Sequence, residues 1–136
     1  MDLEAENRDV SLDELKRVHR AKTGALLTAC GVMGALAAGA EHNQVEALRS
    51  YGKEIGLAFQ IVDDILDATA TSSELGKTAG KDAAQNKATY PGLMGMESAK
   101  KEAADRVACA VDHLTHLGID SRLLGGLAIF VANRRS

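Results

Sequence analysis

Residues 56–70 read Gly-Leu-Ala-Phe-Gln-Ile-Val-Asp-Asp-Ile-Leu-Asp-Ala-Thr-Ala, and they hold the densest chemistry in the chain. Gln60, Asp63, Asp64 and Asp67 recur at i, i+3, i+4 and i+7, a spacing that an α-helix turns into one stripe. The residues around them, Leu57, Phe59, Ile61, Val62, Ile65 and Leu66, are apolar. A surface helix carries a broad polar face and a narrower apolar one, and here the proportions are inverted. The pattern therefore predicts a largely buried helix whose polar stripe lines a cavity. Carboxylates crowded into one turn repel one another, so some must be protonated or a cation must neutralise them. With neither His nor Cys beside them the donors are all oxygen, which suits a hard ion, magnesium above all. The competing reading is a solvated acidic face, for which the apolar neighbours leave little room.

Magnesium commonly takes one or two carboxylates and shares its other positions between water and substrate phosphate. A diphosphate held in that way still needs cations for its remaining oxygens, and lysine serves as a point-charge phosphate ligand. Lys77, Lys81 and Lys87 follow the aspartate helix, and Lys22 with Thr23 opens an uncharged run from Gly24 to Ala40. A lysine at the head of such a run must snorkel or meet an anion. Gly76-Lys77-Thr78 looks like the end of a P-loop, but the glycine that motif needs is replaced by Thr71 and a helix stands where a strand is required. His113 and His116 read as a surface pair, since no third ligand joins them at metal-binding spacing, and His19 and His42 have no identifiable partner.

Four helices are predicted to position these groups. One runs over 11–39 behind a Ser11/Glu14 capping box, and one over 43–69 behind an Asn43/Glu46 box. A third spans 90–117 behind Thr89 and Pro91, and the last spans 120–133 behind Asp120 or Ser121. With no sustained alternating run, the fold class is all-α. The Gly24–Ala40 run falls short of the ~20 apolar residues of a membrane span and reads as a tightly packed buried helix.

The chain has 136 residues, one domain's worth, with 46% hydrophobic and 26% charged residues, an ordinary globular balance. A formal net charge of −3 and 3% aromatics argue against nucleic acid and anionic membranes as partners. Cys30 and Cys109 read as buried thiols of a reducing compartment. Met1-Asp2-Leu3-Glu4 is acidic where a secretory signal would be basic, so the expected location is cytoplasmic, or the plastid stroma for a plant protein.

The stretch from Gly56 to Asp67 resembles the second aspartate-rich motif of trans-prenyl diphosphate synthases, of the farnesyl and geranylgeranyl type. His19-Arg20-Ala21-Lys22-Thr23-Gly24-Ala25-Leu26 is similar to that family's Lys-Thr helix. Leu75-Gly76-Lys77, Gly80-Lys81-Asp82 and Lys87-Ala88-Thr89-Tyr90-Pro91 follow the family's order and spacing. The resemblance implies the helical bundle of isoprenoid synthases and a magnesium-dependent prenyltransferase joining an allylic diphosphate to isopentenyl diphosphate. It places the metal on Asp63, Asp64 and Asp67, with Gln60 on the pocket wall. It places diphosphate on Lys22 with Thr23, on Lys77 and on Lys87, with Arg134 and Arg135 closing over the second substrate.

The departure from the family is equally specific. Its members are longer and carry a first aspartate-rich motif, and this chain has no second Asp-Asp cluster of that kind. Residues 1–136 therefore read as a single unit, an incomplete C-terminal part of a synthase domain. Such a unit is expected to be inactive alone and to form a homo-oligomer or associate with the missing N-terminal half. The alternative is a non-catalytic diphosphate-binding or regulatory subunit acting through a partner.

Overall fold

A computed structural model describes residues 11–74, 88–115, 117 and 120–134, and all regular structure among them is helical. The first predicted helix is three segments: α1 (Leu12–His19), a π-helical turn (Arg20–Gly24) and α2 (Ala25–Ala37). The predicted capping box at its start is present, with the Ser11 N–H donating to Glu14 Oε2 at 3.1 Å and the Glu14 N–H to Ser11 Oγ at 3.3 Å. The π turn has a steric logic. His19, just before it, packs against Tyr90, and Gly24, its last residue, packs against Gly56, so the turn joins two separately buried positions. α2 ends in a Schellman motif: the Ala40 N–H reaches the Ala35 carbonyl, the Gly39 N–H reaches that of Leu36, and Gly39 takes a φ of 69°.

α3 (His42–Glu74) is longer than the expected 43–69. Its cap lies two residues earlier than predicted, because the Gln44 side chain accepts from the Glu41 N–H at 3.0 Å while Asn43 Oδ1 accepts from the Gln44 N–H. The third predicted helix is two, α4 (Tyr90–Met94) and α5 (Met96–Thr115), separated at Gly95 by a φ of 85°. Thr89 caps α4 as expected, accepting from the Gly92 N–H at 3.2 Å, with Pro91 in the first turn. α6 (Arg122–Asn133) is the last of the described helices. His116 and Gly118 lie outside the described residues.

α3 is the axis of the molecule. One half buries Tyr51, Ile55 and Ala58 against Val107, Ala110 and Leu114 of α5 and Ala128 and Val131 of α6. The other half buries Leu57, Ile61 and Val62 against Leu15, Tyr90, Ala99 and Ala103. The Tyr51 hydroxyl donates to the Leu124 carbonyl at 2.8 Å, and burial pushes that phenol above its ordinary pKa, so it stays a donor. A half-exposed ion-pair chain, Lys16–Glu102–Arg106–Glu54, ties α1, α5 and α3 together.

α2 crosses α3 through glycine. A Cβ on Gly56 would stand 2.5 Å from Gly24 Cα, and one on Gly52 would stand 2.6 Å from Thr28 Cα. The expectation that the whole uncharged run is buried is corrected here. Its small residues Gly24, Thr28 and Ala35 face α3, while Leu26, Met33 and Leu36 are 60–65% exposed. Cys30 and Cys109 are free, as expected, yet exposed rather than buried, since both lie on the outer faces of their helices. No helix among the described residues is long and apolar enough to cross a membrane.

The crossing gives the first prediction. Gly56→Ala sets its Cβ against backbone that cannot rotate away, so we expect a loss of about 1–3 kcal/mol in urea unfolding. Gly34→Ala meets nothing within 4 Å and should be neutral or stabilising by about 0.5–1 kcal/mol.

Candidate functional site

The aspartate stripe of α3 divides between three environments. Asp64 is 8% exposed, and its Oδ2 accepts from the Tyr90 N–H at 2.9 Å, so it fastens the first turn of α4 to α3. Tyr90 is fully buried and stacks obliquely on His19 at 5.6 Å between ring centroids. His19, which has no partner legible in the sequence, therefore joins this cluster directly before the π turn. Asp63 is half-buried, and its Oδ2 accepts from Gln60 Nε2 at 3.4 Å. Asp67, one turn further on, is exposed.

Arg134, immediately after α6, folds back across this turn. Its Nη2 donates to Asp63 Oδ1 and, at 3.1 Å, to the Phe59 carbonyl, while the guanidinium lies 3.8 Å above the Phe59 ring. Cation–π stacking and charge-assisted hydrogen bonding act on one group here. Phe59 is a site residue that sequence reasoning missed. Its apolar character concealed a role as platform, and nothing local pairs it with a residue 75 positions away.

Lys22 and Thr23 lie in the π turn, directly before the Gly24–Gly56 crossing. Gly56 is one helical turn from Gln60 and two from Asp63, so the crossing brings the Lys-Thr pair to the same side of α3 as the amide and the first carboxylate. Lys22 is exposed and Thr23 half-buried. Lys77, Lys81, Lys87 and Arg135 lie outside the described residues. Beside the crossing runs an open groove of about 800 Å³, walled by Gly24 of the π turn, by Thr28, Val32 and Met33 of α2 and by Arg49, Lys53 and Glu54 of α3.

The carboxylates of α3 form the donor set a magnesium ion would meet. Among the described residues no group of three His, Cys, Asp or Glu side chains is arranged to hold an ion. Asp64 is turned inward and spent on α4. Asp63 and Asp67, one turn apart on the solvent side, offer two hard oxygens, and one or two carboxylates is what magnesium ordinarily takes. The pair fits the ion; the triad does not.

Residues 1–115 match the family described as Polyprenyl synthetase. The chain belongs to that family. It is 47% identical over 129 residues to "Geranylgeranyl pyrophosphate synthase 10, mitochondrial" of Arabidopsis thaliana, which covers 94% of this chain and 38% of that protein. Its fold matches a putative farnesyl-diphosphate synthase from Marinomonas sp. MED121 with a TM-score of 0.80 at 38% identity, covering 97% of this chain and 44% of the other. A Helicobacter pylori geranyltransferase complexed with magnesium and isoprenyl diphosphate matches with a TM-score of 0.72 at 31% identity, over 97% and 43% of the two chains. The chain spans about 35–46% of the length of such curated relatives. The helical isoprenoid-synthase fold expected from the sequence is thereby the observed one.

The geometry separates Asp64 from its neighbours. Asp64→Ala leaves the Tyr90 N–H buried without its carboxylate, and the cost should be about 1–3 kcal/mol in metal-free urea unfolding. Asp67→Ala, at an exposed position, should change stability by less than about 0.5 kcal/mol.

Proposed function

We propose that this chain is the C-terminal part of a prenyltransferase domain that joins an allylic diphosphate to isopentenyl diphosphate. The observation that carries the reading is the joint placement of Lys22, Thr23, Gln60 and the Asp63–Asp67 pair on one side of α3, in a chain of the polyprenyl synthetase family. The relative crystallised with magnesium and isoprenyl diphosphate supports the same ligand chemistry.

Asp63 and Asp67 would hold magnesium, which when bound would neutralise charge growing on the departing diphosphate. Lys22 supplies a point charge for diphosphate oxygens, and the Thr23 hydroxyl can donate beside it. Lys77 and Lys87 are proposed for the same anion, and Arg135 for the second substrate. Gln60 orients Asp63 through its amide. The groove beside the crossing is mostly apolar, and its size falls in the range of small-molecule sites, ~300–1,000 Å³. We assign it to the hydrocarbon tail. Asp64 keeps a structural duty, holding α4 and, through Tyr90 and His19, the start of the π turn.

The exposed apolar side chains have a place in this reading. Leu26, Met33 and Leu36 on α2, with Leu123, Leu127, Ile129 and Phe130 on α6, are 48–86% exposed. Apolar surface on this scale marks association, and we assign these faces to the remainder of the synthase fold or to a second copy of the chain. The cytoplasm, or the stroma in a plant, is the proposed location.

Calorimetry should show magnesium binding that strengthens when inorganic pyrophosphate is added. Asp63→Ala and Asp67→Ala should each weaken it at least tenfold, and Lys22→Ala should weaken the pyrophosphate enhancement selectively. Binding indifferent to both aspartates would refute the site. The 136-residue chain alone should give no detectable condensation product in a radiolabel assay, because one carboxylate helix cannot enclose the leaving group. Robust turnover would show that self-association completes the site.

A further inference from the structure

The seat of Arg134 has the form of a reversible latch. Three features of residues 59–63 hold one guanidinium: the Phe59 ring face, the Phe59 carbonyl and the Asp63 carboxylate. The Arg134 side chain is only 15% exposed although it lies beyond the last helical residue, so the seat, and not the helix, fixes its position. Yet the seat satisfies the group only in part. Arg134 Nε is buried without a hydrogen-bond acceptor among the described residues. The carboxylate it grips is 41% exposed, so solvent reaches and screens one side of the pair. A cation held this weakly on an accessible carboxylate can be displaced by one that binds the same oxygens better.

We propose that Arg134 is an internal counter-cation that occupies Asp63 in the unliganded chain and is displaced when a divalent cation binds. The inference rests on the metal reading of Asp63 given above and adds a conformational consequence to it. A guanidinium and a divalent ion at contact distance from the same Asp63 oxygen repel each other, so the two compete for it. Loading the ion therefore frees Arg134 from Asp63 while leaving its Phe59 contacts available, and the turn after α6 loosens. By linkage the reverse holds, so seating Arg134 weakens cation binding by the same factor. The carboxylate keeps a positive partner in both states, and the chain end reports which one it has.

The test is Mn2+ binding to the full 136-residue chain, read by electron paramagnetic resonance, together with hydrogen exchange at 131–134. Arg134→Gln should bind Mn2+ about three- to fivefold more tightly than the unmodified chain, the factor equivalent to an exposed ion pair. Phe59→Leu should shift affinity in the same direction. It removes the platform and leaves every charge in place, which separates displacement from a mere change in net charge. Exchange at 131–134 should rise when Mn2+ is added to the unmodified chain, and should already be raised in metal-free Asp63→Asn. Equal affinity in the unmodified chain and both variants, or weaker affinity in Arg134→Gln, overturns the latch and leaves the metal reading standing. An absence of Mn2+ binding in every form overturns the metal reading and the latch together. Should Arg134→Gln fail to fold, Phe59→Leu and the exchange response decide alone.

Discussion

Two helices that meet through glycine are held at the distance their backbones set, and in this molecule that distance relates the Lys22-Thr23 turn to the aspartate-bearing helix. At the Gly24–Gly56 contact there is no side chain to compress or rotate, and at Gly52 it is the Thr28 backbone that stands nearest, so α2 and α3 have one separation and one register. The Lys22-Thr23 pair directly precedes that contact on one helix, and Gln60 and Asp63 follow it within two turns on the other. Their relation is inherited from backbone contact, the stiffest positioning device a helical bundle has. The π turn belongs to the same constraint. It ends at Gly24, so its last residue is itself part of the contact with Gly56.

The same constraint explains the division of labour among the aspartates. α3 is enclosed by α1, α4, α5 and α6 on one side and crossed by α2 on another. Residues three or four apart share a face, but adjacent residues diverge by about 100°. Asp63 and Asp64 are adjacent, so only one of them can follow the open side. Asp64 turns under α4 and finds a backbone N–H there, whereas Asp63 and Asp67 remain where water, an ion or a guanidinium can reach them. The structure thus disperses a repulsion that three aligned carboxylates would have concentrated.

Much of this arrangement is legible in the sequence, and the parts that are not share a cause. The Ser11/Glu14 box, the Thr89 cap with Pro91 and the helical period of the aspartate stripe are local, and local chemistry can be read from neighbours. Local rules also carry their own ambiguity. Asn43 and Glu46 have the spacing of a box, yet the Glu41 N–H is capped by the Gln44 side chain and the Gln44 N–H by Asn43. Buried faces are less legible still. The Gly24–Ala40 run shows that small residues can approach closely, but not which of them do, and the exposed Leu26 and Met33 lie on the face away from α3. Arg134 on Phe59 and Asp64 on Tyr90 pair residues 75 and 26 positions apart, and no period in the sequence encodes them.

Charge balance joins the fold to the chemistry. A half-buried carboxylate needs a partner, because partial burial makes a solitary charge costly. Asp64 meets the demand by accepting a backbone N–H, and Asp67 is exposed to solvent. Asp63 can do neither, being half-buried and facing the open side, and Arg134 supplies the partner from the far end of the chain. The guanidinium is suited to this temporary duty, since its planar face stacks on Phe59 and its fork reaches a carbonyl and a carboxylate together, contacts a lysine ammonium would not reproduce. The residue best placed to coordinate an ion is therefore also the one whose unliganded state must be managed. The aromatic at position 59 is the physical reason that management falls to an arginine.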